Sequence, residues 1–167
     1  MKARGGVDRS DIGFLLAKAS QRWNELLHEQ LIAAGFPEVR PSHGSVLVPL
    51  FEEDGLRLGE IAARARLSKQ TMTTLARLVE RAGLVELVSD SQDRRAIRVH
   101  LTARGRELEP VARTALRRLE RAAASTLGSG GLEPLRRALV ELADLVHGAD
   151  RPPAASRGGR AGRVRVA

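Results

Sequence analysis

The sequence predicts a mainly α-helical fold with one small β-hairpin, and three observations support that class. Apolar residues recur at helical spacing in one long stretch near the N-terminus and in two more after residue 102. Three shorter helical segments lie between them, and the last of these is followed by two runs that suit β-strands. The 167 residues can form one domain with its own hydrophobic core, followed by a tail.

A long amphipathic helix is predicted from Asp8 to Ala34. Ser10 or Asp11 can act as its N-cap, because either side chain can accept a hydrogen bond from a free N–H of the first turn. Gly35 is a natural end for this helix. Its apolar stripe consists of Ile12, Leu15, Leu16, Ala19, Trp23, Leu26, Leu27 and Leu31.

Three shorter elements are predicted next. Ser42 can cap a helix over residues 43–53, which Pro49 should kink or shorten because proline has no N–H to donate. A short strand is expected at Leu56–Leu58. A short helix is expected at Gly59–Ala65.

A second short helix and a hairpin follow. Ser68 is the predicted N-cap of a helix that extends to about Ala82, and Gly83 suits the next position, where glycine adopts a positive φ at little cost. Residues 84–88 and 96–101 are predicted strands. The loop between them is polar and contains no glycine.

The last part of the chain is predicted to contain two helices and a tail. Thr102 can cap a helix over residues 103–127, and a final helix is expected over residues 132–147. The tail is rich in Pro, Gly and Arg, so we expect a disordered basic end, with a non-specific DNA contact as an equal alternative. The predicted segments are 8–55, 56–102, 103–148 and 149–167.

The composition points to a nucleic-acid partner. The formal net charge of +8 favours binding to a polyanion. Only four aromatic residues occur, which argues against base stacking on single strands and favours double-stranded DNA. Cysteine is absent, which excludes disulfides and thiolate metal sites. No signal peptide or membrane-length apolar run is visible, so the prediction is a cytoplasmic protein without a membrane partner.

The two short helices, joined by a three-residue turn, form a predicted helix-turn-helix. The second helix separates an apolar face from a donor-rich face, and Glu80 is the only acid between Ser68 and Gly83. Gln can pair with adenine, Lys with guanine, and the Thr methyl can contact thymine. The alternative is an ordinary amphipathic helix that packs on the core and whose polar face is exposed to solvent without binding DNA. The following hairpin favours DNA, because arginines at its loop suit the narrow minor groove. The apolar face consists of Met72, Leu75, Leu78, Val79 and Ala82.

Several motifs in the middle of the chain resemble the MarR family of transcriptional regulators. They are Leu58-Gly-Glu-Ile-Ala-Ala, Ser68-Lys-Gln-Thr-Met-Thr, Glu80-Arg-Ala-Gly-Leu-Val, Asp93-Arg-Arg and Leu101-Thr-Ala-Arg-Gly. The wing of that family usually reads Asp-x-Arg-Asp-x-Arg. Here the run from Asp90 to Arg95 has Gln92 in place of one arginine.

The resemblance implies a winged helix-turn-helix joined to a helical dimerisation domain. Segments 8–55 and 103–148 would then support an obligate homodimer, with 56–102 as the DNA-binding lobe. One of Arg94 and Arg95 is expected in the minor groove, and the other is expected to pair with Asp93 and hold the wing loop. Either assignment fits the sequence, and the alternation of side chains along a strand favours Arg94 for the groove and Arg95 for Asp93. The predicted DNA-binding residues are Ser68, Lys69, Gln70, Thr71, Thr73, Thr74, Arg77, Arg94 and Arg95.

The resemblance also implies a small anionic or aromatic effector that relieves repression. Arg22, Trp23, His43 and Phe51 could line its site, with plain core packing of Trp23 and Phe51 as the alternative. The four histidines lack a metal-ligand spacing, and no nucleophile motif or phosphate loop occurs. We therefore predict no metal, no cofactor and no enzymatic activity.

Two other functions remain compatible with these elements. The first is a non-specific, architectural DNA-binding protein that uses the same fold. The second is a winged-helix module that binds another protein, since a fold does not determine a function. The donors on the second short helix favour base recognition over both.

Overall fold

The computed structural model describes residues 9–128 and 130–149, which form six α-helices, one 3-10 helix and three β-strands. The strands are β1 (Leu56–Arg57), β2 (Val85–Ser89) and β3 (Ile97–Leu101), and the 3-10 helix is Pro41–His43. The mainly helical class with a small sheet is confirmed. The α-helices are α1 (Ile12–Ala33), α2 (Gly44–Glu52), α3 (Leu58–Arg64), α4 (Lys69–Arg81), α5 (Ala103–Leu127) and α6 (Leu132–Ala149).

The chain divides into two compact units, Met1–Ala122 and Ala123–Ala167. The first contains everything from α1 to most of α5, and the second contains α6. The predicted basic tail lies outside the described residues from position 150 onward.

Local hydrogen bonds explain where three helices begin. Asp11 caps α1, because its Oδ1 accepts from the N–H groups of Gly13 at 2.9 Å and Phe14 at 3.1 Å. Ser68 caps α4 by accepting from the N–H of Thr71 at 3.1 Å. Thr102 accepts from the N–H of Gly105 at 3.0 Å at the start of α5. Two predicted caps are thus confirmed, and Asp11 is the residue selected from the predicted pair.

The start of α2 differs from the prediction. Ser42 lies inside the 3-10 helix Pro41–His43, so it does not cap the α-helix, which begins at Gly44. Proline at the first position of a helical turn needs no N–H partner, and Pro41 accordingly moves the start of helical structure upstream of Ser42. Pro49 lies inside α2 and is buried, and the helix continues for one turn to Glu52.

The three strands form one antiparallel sheet in the order β1-β3-β2. Val85 lies opposite Leu101 and Leu87 opposite Val99, so the hairpin is in regular register. On the other edge of β3, Arg57 lies opposite Arg98. The short strand β1 therefore brings an arginine from before the helix-turn-helix beside an arginine of the wing.

The core of the first unit packs α4 and the sheet together. Met72 and Val79 of α4 are fully buried, as are Leu84 and Val99 of the hairpin region. Leu78 belongs to the predicted apolar face of α4 but is 39 % exposed. Ala76 occupies the inward side of that turn and is fully buried, because its small side chain permits close packing.

The first turn of α5 approaches the hairpin closely. A Cβ added to Gly105 would lie 2.1 Å from the carbonyl oxygen of Leu84, so only glycine fits there. That oxygen accepts the N–H of Thr102 at 3.1 Å, and the Thr102 hydroxyl donates to the carbonyl of Gly83 at 2.7 Å. Gly83 has φ +73°, as predicted for the residue after α4. The end of α4 is thereby attached to the start of α5.

Candidate nucleic-acid interface

The outward face of α4 carries exposed donors near the N-terminus of the helix. Lys69, Gln70, Thr74 and Arg77 are exposed, while Thr73 is half-buried. The opposite face of the helix is buried in the core. Because the buried face is fixed by packing, the donors project from a rigid element and need little reordering to meet a ligand.

The threonines of this helix use their hydroxyl hydrogens internally. Thr73 Oγ1 donates to the carbonyl of Lys69 at 2.7 Å, and Thr74 Oγ1 donates to the carbonyl of Gln70 at 3.2 Å. Each hydroxyl oxygen can then only accept a further hydrogen bond, and each methyl group stays available for apolar contact. Thr71 instead supports the cap, since its Oγ1 lies 2.8 Å from Ser68 Oγ. Thr73 and Thr74 thus suit an amino group or a thymine methyl on DNA.

The wing loop is organised around Asp90, whose side chain is fully buried. Its Oδ1 accepts the N–H groups of Gln92 at 2.7 Å and Asp93 at 3.2 Å. Its own N–H donates to the carbonyl of Ala96 at 2.9 Å, which closes the loop. One carboxylate therefore shapes the whole turn between β2 and β3.

The other oxygen of Asp90 binds two arginines. Arg57 Nε and Arg98 Nε each donate to Asp90 Oδ2 at 2.8 Å. Arg98 Nη1 also donates to the carbonyl of Gly55 at 2.7 Å. The hydrogen bond from the Gln92 N–H, together with Arg57 and the Asp93 N–H, lowers the pKa of Asp90 to about 2 against the opposing effect of its burial. The carboxylate is thus ionised at neutral pH and connects all three strands.

The expected ion pair between Arg95 and Asp93 is not found among the described residues. Asp93 Oδ1 accepts the backbone N–H of Arg95 at 3.0 Å instead, so the side chain of Arg95 is not held by that contact. Within residues 9–128 and 130–149, the guanidinium groups of Arg94 and Arg95 make no ion pair. Asp93 therefore contacts the loop through the backbone N–H of Arg95 and not through its guanidinium.

A groove lies between α4 and the wing and has a volume of about 540 Å³. It brings together three of the predicted DNA-binding residues, namely Lys69, Thr73 and Arg95. The exposed residues Gln70 and Arg94 are not among those that line it. The lining is completed by Arg57, Leu58, Gly59, Glu60, Ala96 and Ile97.

Asp90, Arg57 and Arg98, which organise the wing loop, were not among the residues predicted from the sequence. The available signal was the first aspartate of the Asp-x-Arg-Asp-x-Arg pattern, which Asp90 matches. Its arginine partners are distant along the chain, and only strand pairing brings Arg57 beside Arg98.

The four residues predicted to line an effector site occupy different surroundings. Arg22 is exposed and forms ion pairs with Glu25 at 3.2 Å and Glu29 at 3.7 Å. His43 is buried, and burial, together with the nearby charge of Arg40, lowers its pKa. The remaining two, Trp23 and Phe51, are half-buried, and Phe51 packs against the core.

Two further features bear on other classes of function. Within the described part of the chain, no helix combines the length and apolarity needed to cross a membrane. Across the same residues, no three His, Asp or Glu side chains cluster closely enough to hold a metal ion.

Known proteins similar to this chain are transcriptional regulators. Residues 41–96 match the sequence model of the MarR family. The HTH-type transcriptional regulator TtmR of Methylorubrum extorquens (strain PA1) is 39% identical over 64 residues, which are 38% of this chain and 33% of that protein. The transcriptional activator of exopolysaccharide II synthesis, ExpG, of Rhizobium meliloti (strain 1021) is 24% identical over 112 residues, 67% of this chain. The match spans 57% of ExpG, so both relatives extend well beyond the matched regions.

Solved structures share the fold over most of the chain. A probable transcriptional regulator from Pseudomonas aeruginosa superposes with a TM-score of 0.69 at 26% identity, covering 80% of this chain and 97% of that one. PcaV of Streptomyces coelicolor in complex with its natural ligand has a TM-score of 0.71 at 21% identity, covering 86% and 99%. Reduced AbfR bound to DNA has a TM-score of 0.65 at 21% identity, covering 84% and 92%.

The family match covers the helix-turn-helix and the wing loop, which are the segments whose geometry is described above. The matching proteins are described as transcriptional regulators. The resemblance seen in the sequence motifs is therefore confirmed over residues 41–96, which match the MarR family model, and the chain has the winged helix-turn-helix fold of transcriptional regulators of known structure.

Proposed function

We propose that this chain is a homodimeric, sequence-specific DNA-binding regulator, acting as a repressor that a small ligand releases. The observation that carries the proposal is the face of α4, where Lys69, Gln70 and Thr74 are exposed on a helix whose other side is buried. A recognition helix reads bases mainly with its N-terminal residues. The wing would add Arg94 and Arg95 at the minor groove, where the potential is most negative.

Dimerisation is supported by apolar surface on the terminal helices. On α1, Ile12 is 68 % exposed, and Phe14 and Leu15 are also exposed. On α6, Leu135, Leu139 and Val140 are exposed. Clustered exposed apolar side chains favour burial against a partner. In a two-fold dimer the two recognition helices would enter successive major grooves, about 10 base pairs apart.

Selection of bound duplexes from a random DNA library by the purified chain tests this proposal. We expect a pseudo-palindrome whose half-sites lie about one helical turn apart, and a dimer in sedimentation. A flat sequence profile with strong binding would favour an architectural protein. Absence of duplex binding by a folded dimer would favour a protein-interaction module. A single half-site occupied by a monomer would contradict the dimeric arrangement.

The proposal includes an effector site near Arg22, Trp23, His43 and Phe51. It rests on the family and on the fold shared with PcaV, whose structure contains its natural ligand. Trp23 is the only tryptophan of the chain, so its fluorescence reports on this region specifically. Titration with benzoate-type aromatic carboxylates should change the Trp23 emission and weaken DNA binding over the same concentration range. Unchanged emission together with unchanged DNA binding would remove this class of effector.

A further inference from the structure

The groove between α4 and the wing has a distinctive arrangement of charge. Three cationic side chains line it, from Arg57, Lys69 and Arg95. Glu60 is the only carboxylate in the lining, and its Oε2 already accepts the N–H of Arg57 at 2.7 Å. The groove therefore has an excess of positive charge and suits an anion.

Arg57 enters this groove in a fixed orientation. Its Nε is bound to the buried Asp90 at 2.8 Å, which fixes the plane of the guanidinium. In the described part of the chain, no hydrogen bond or ion pair occupies its Nη1 and Nη2. The side chain is 40 % exposed. These terminal donors are thus preorganised and available to a phosphate, which guanidinium groups bind with two parallel hydrogen bonds.

We propose that this groove is a binding site for one phosphodiester of the DNA backbone and that Arg57 is its principal ligand. The inference rests on the proposed function and adds a contact from β1, outside both the recognition helix and the wing. A recognition helix in the major groove and a wing in the adjacent minor groove are separated by one sugar-phosphate backbone. The groove lies between those two elements, where that backbone would pass. Lys69 and Arg95 would add charge on either side, and Thr73 would add apolar contact.

The pair Arg57 and Arg98 allows a matched test. Both arginines donate Nε to the same oxygen of Asp90 at 2.8 Å, and both side chains are 40 % exposed. Only Arg57 lines the groove. Arg57→Ala and Arg98→Ala therefore each remove one of the two side-chain partners of Asp90, but only the first removes the proposed phosphate ligand. Arg57→Lys keeps a cation in the groove while removing Nε.

The experiment measures affinity of the full chain for one selected duplex between 50 and 200 mM salt, with thermal unfolding of each variant as a check on folding. Arg57→Ala should reduce the slope of log affinity against log salt by about 0.9 for each protomer bound, equally on non-specific duplexes. Arg57→Lys should retain most of the wild-type slope. Arg98→Ala should retain it too. Equal slopes for Arg57→Ala and wild type, or equal losses for Arg57→Ala and Arg98→Ala, would overturn the proposal.

A second arm locates the phosphate. Single methylphosphonate substitutions remove one backbone charge at a time from the duplex. At one position per half-site, the substitution should lower the affinity of wild type. The same substitution should leave the affinity of Arg57→Ala unchanged, because that variant already lacks the contact. Absence of any such position overturns the site. If Arg77→Ala still weakens binding while Arg57→Ala does not, the site is wrong and the regulator function stands. If the wild type binds no duplex, the function itself fails.

Discussion

The guanidinium carbon of Arg104 lies 3.7 Å from the centre of the Phe36 ring, which is buried. The same guanidinium donates through Nε to Glu38 at 2.9 Å and through Nη2 to the carbonyl of Gly35. The loop that follows α1 is thereby attached to the first turn of α5. Three contacts from one side chain thus join the two segments expected to dimerise, 8–55 and 103–148. The contacted loop is also the one through which the chain continues from α1 toward the helix-turn-helix.

This relationship predicts energetic coupling between the ring and the cation. Phe36→Ala should destabilise the fold by about 3–5 kcal/mol, because it deletes a buried ring. Arg104→Ala should destabilise Phe36→Leu by less than it destabilises the wild type, because leucine offers no ring face to the cation. Urea unfolding at constant protein concentration measures both effects. Full additivity of Arg104→Ala and Phe36→Leu would exclude the coupling.

A second prediction concerns acid stability of the wing. Folding lowers the pKa of Asp90 from 3.8 to about 2, so the folded state favours the carboxylate. The stability that this ionisation contributes is fully present above about pH 4 and is lost as the pH falls through about 2. Asp90→Asn should therefore be less stable than wild type at pH 7, and the difference should shrink between pH 4 and pH 2.

The measurement is the urea midpoint of wild type, Asp90→Asn and Ser91→Ala at several pH values. Ser91 is exposed on the same loop, so its variant controls for substitution in the wing. A difference between wild type and Asp90→Asn that stays constant from pH 7 to pH 2 would contradict the role of the ionised carboxylate.

A third prediction separates base contacts from phosphate contacts on α4. Gln70→Ala should lose about 1–3 kcal/mol of binding energy at particular base pairs, because a side-chain amide pairs with a base edge. Arg77→Ala should weaken binding to every duplex and lower the salt slope by about one. Affinities for a panel of single-base operator variants test both. An unchanged base preference in Gln70→Ala would refute the assignment.

A fourth prediction concerns the wing arginines. Arg94→Ala should weaken binding most on operators with A·T-rich flanks, where the minor groove is narrow. Its thermal stability should stay within about 0.5 kcal/mol of wild type, since the residue is exposed. Because Asp93 accepts only the backbone N–H of Arg95, Asp93→Ala and Arg95→Ala should have additive effects on stability. Flank-independent binding by Arg94→Ala, or strong non-additivity of the other pair, would contradict these roles.

A fifth prediction uses two glycines within helices. Gly105→Ala should destabilise by about 1–3 kcal/mol, because the new Cβ would overlap the carbonyl of Leu84. Gly59 in α3 has open space around it, so Gly59→Ala should stabilise by about 0.5–1 kcal/mol through helix propensity alone. Opposite signs in urea unfolding support the close contact at Gly105. Stabilisation by both substitutions would show that Leu84 moves away.

Helix ends and helix faces, which depend on residues close together along the chain, could be predicted from the sequence. Contacts between residues far apart along the chain could not. Asp11, Ser68 and Gly83 act within one turn of a helix, so local patterns identify them. The bond between Arg57 and Asp90 joins residues 33 positions apart and depends on strand pairing. The need for glycine at position 105 likewise follows from a tertiary contact with Leu84. The α4 face was predictable because helical periodicity separates it from the core.

The shared carboxylate of Asp90 also affects which DNA sites the chain could bind. Because it joins β1, β2 and β3 while α4 is packed on the same core, we expect α4 and the wing to move together as one body. The distance between the base pairs that each would contact is then a constant of the protein. In the proposed mode of binding, a half-site with a wider or narrower groove must itself deform to fit. Stiffness of DNA between the contacted bases would therefore discriminate among operators that present identical contacts.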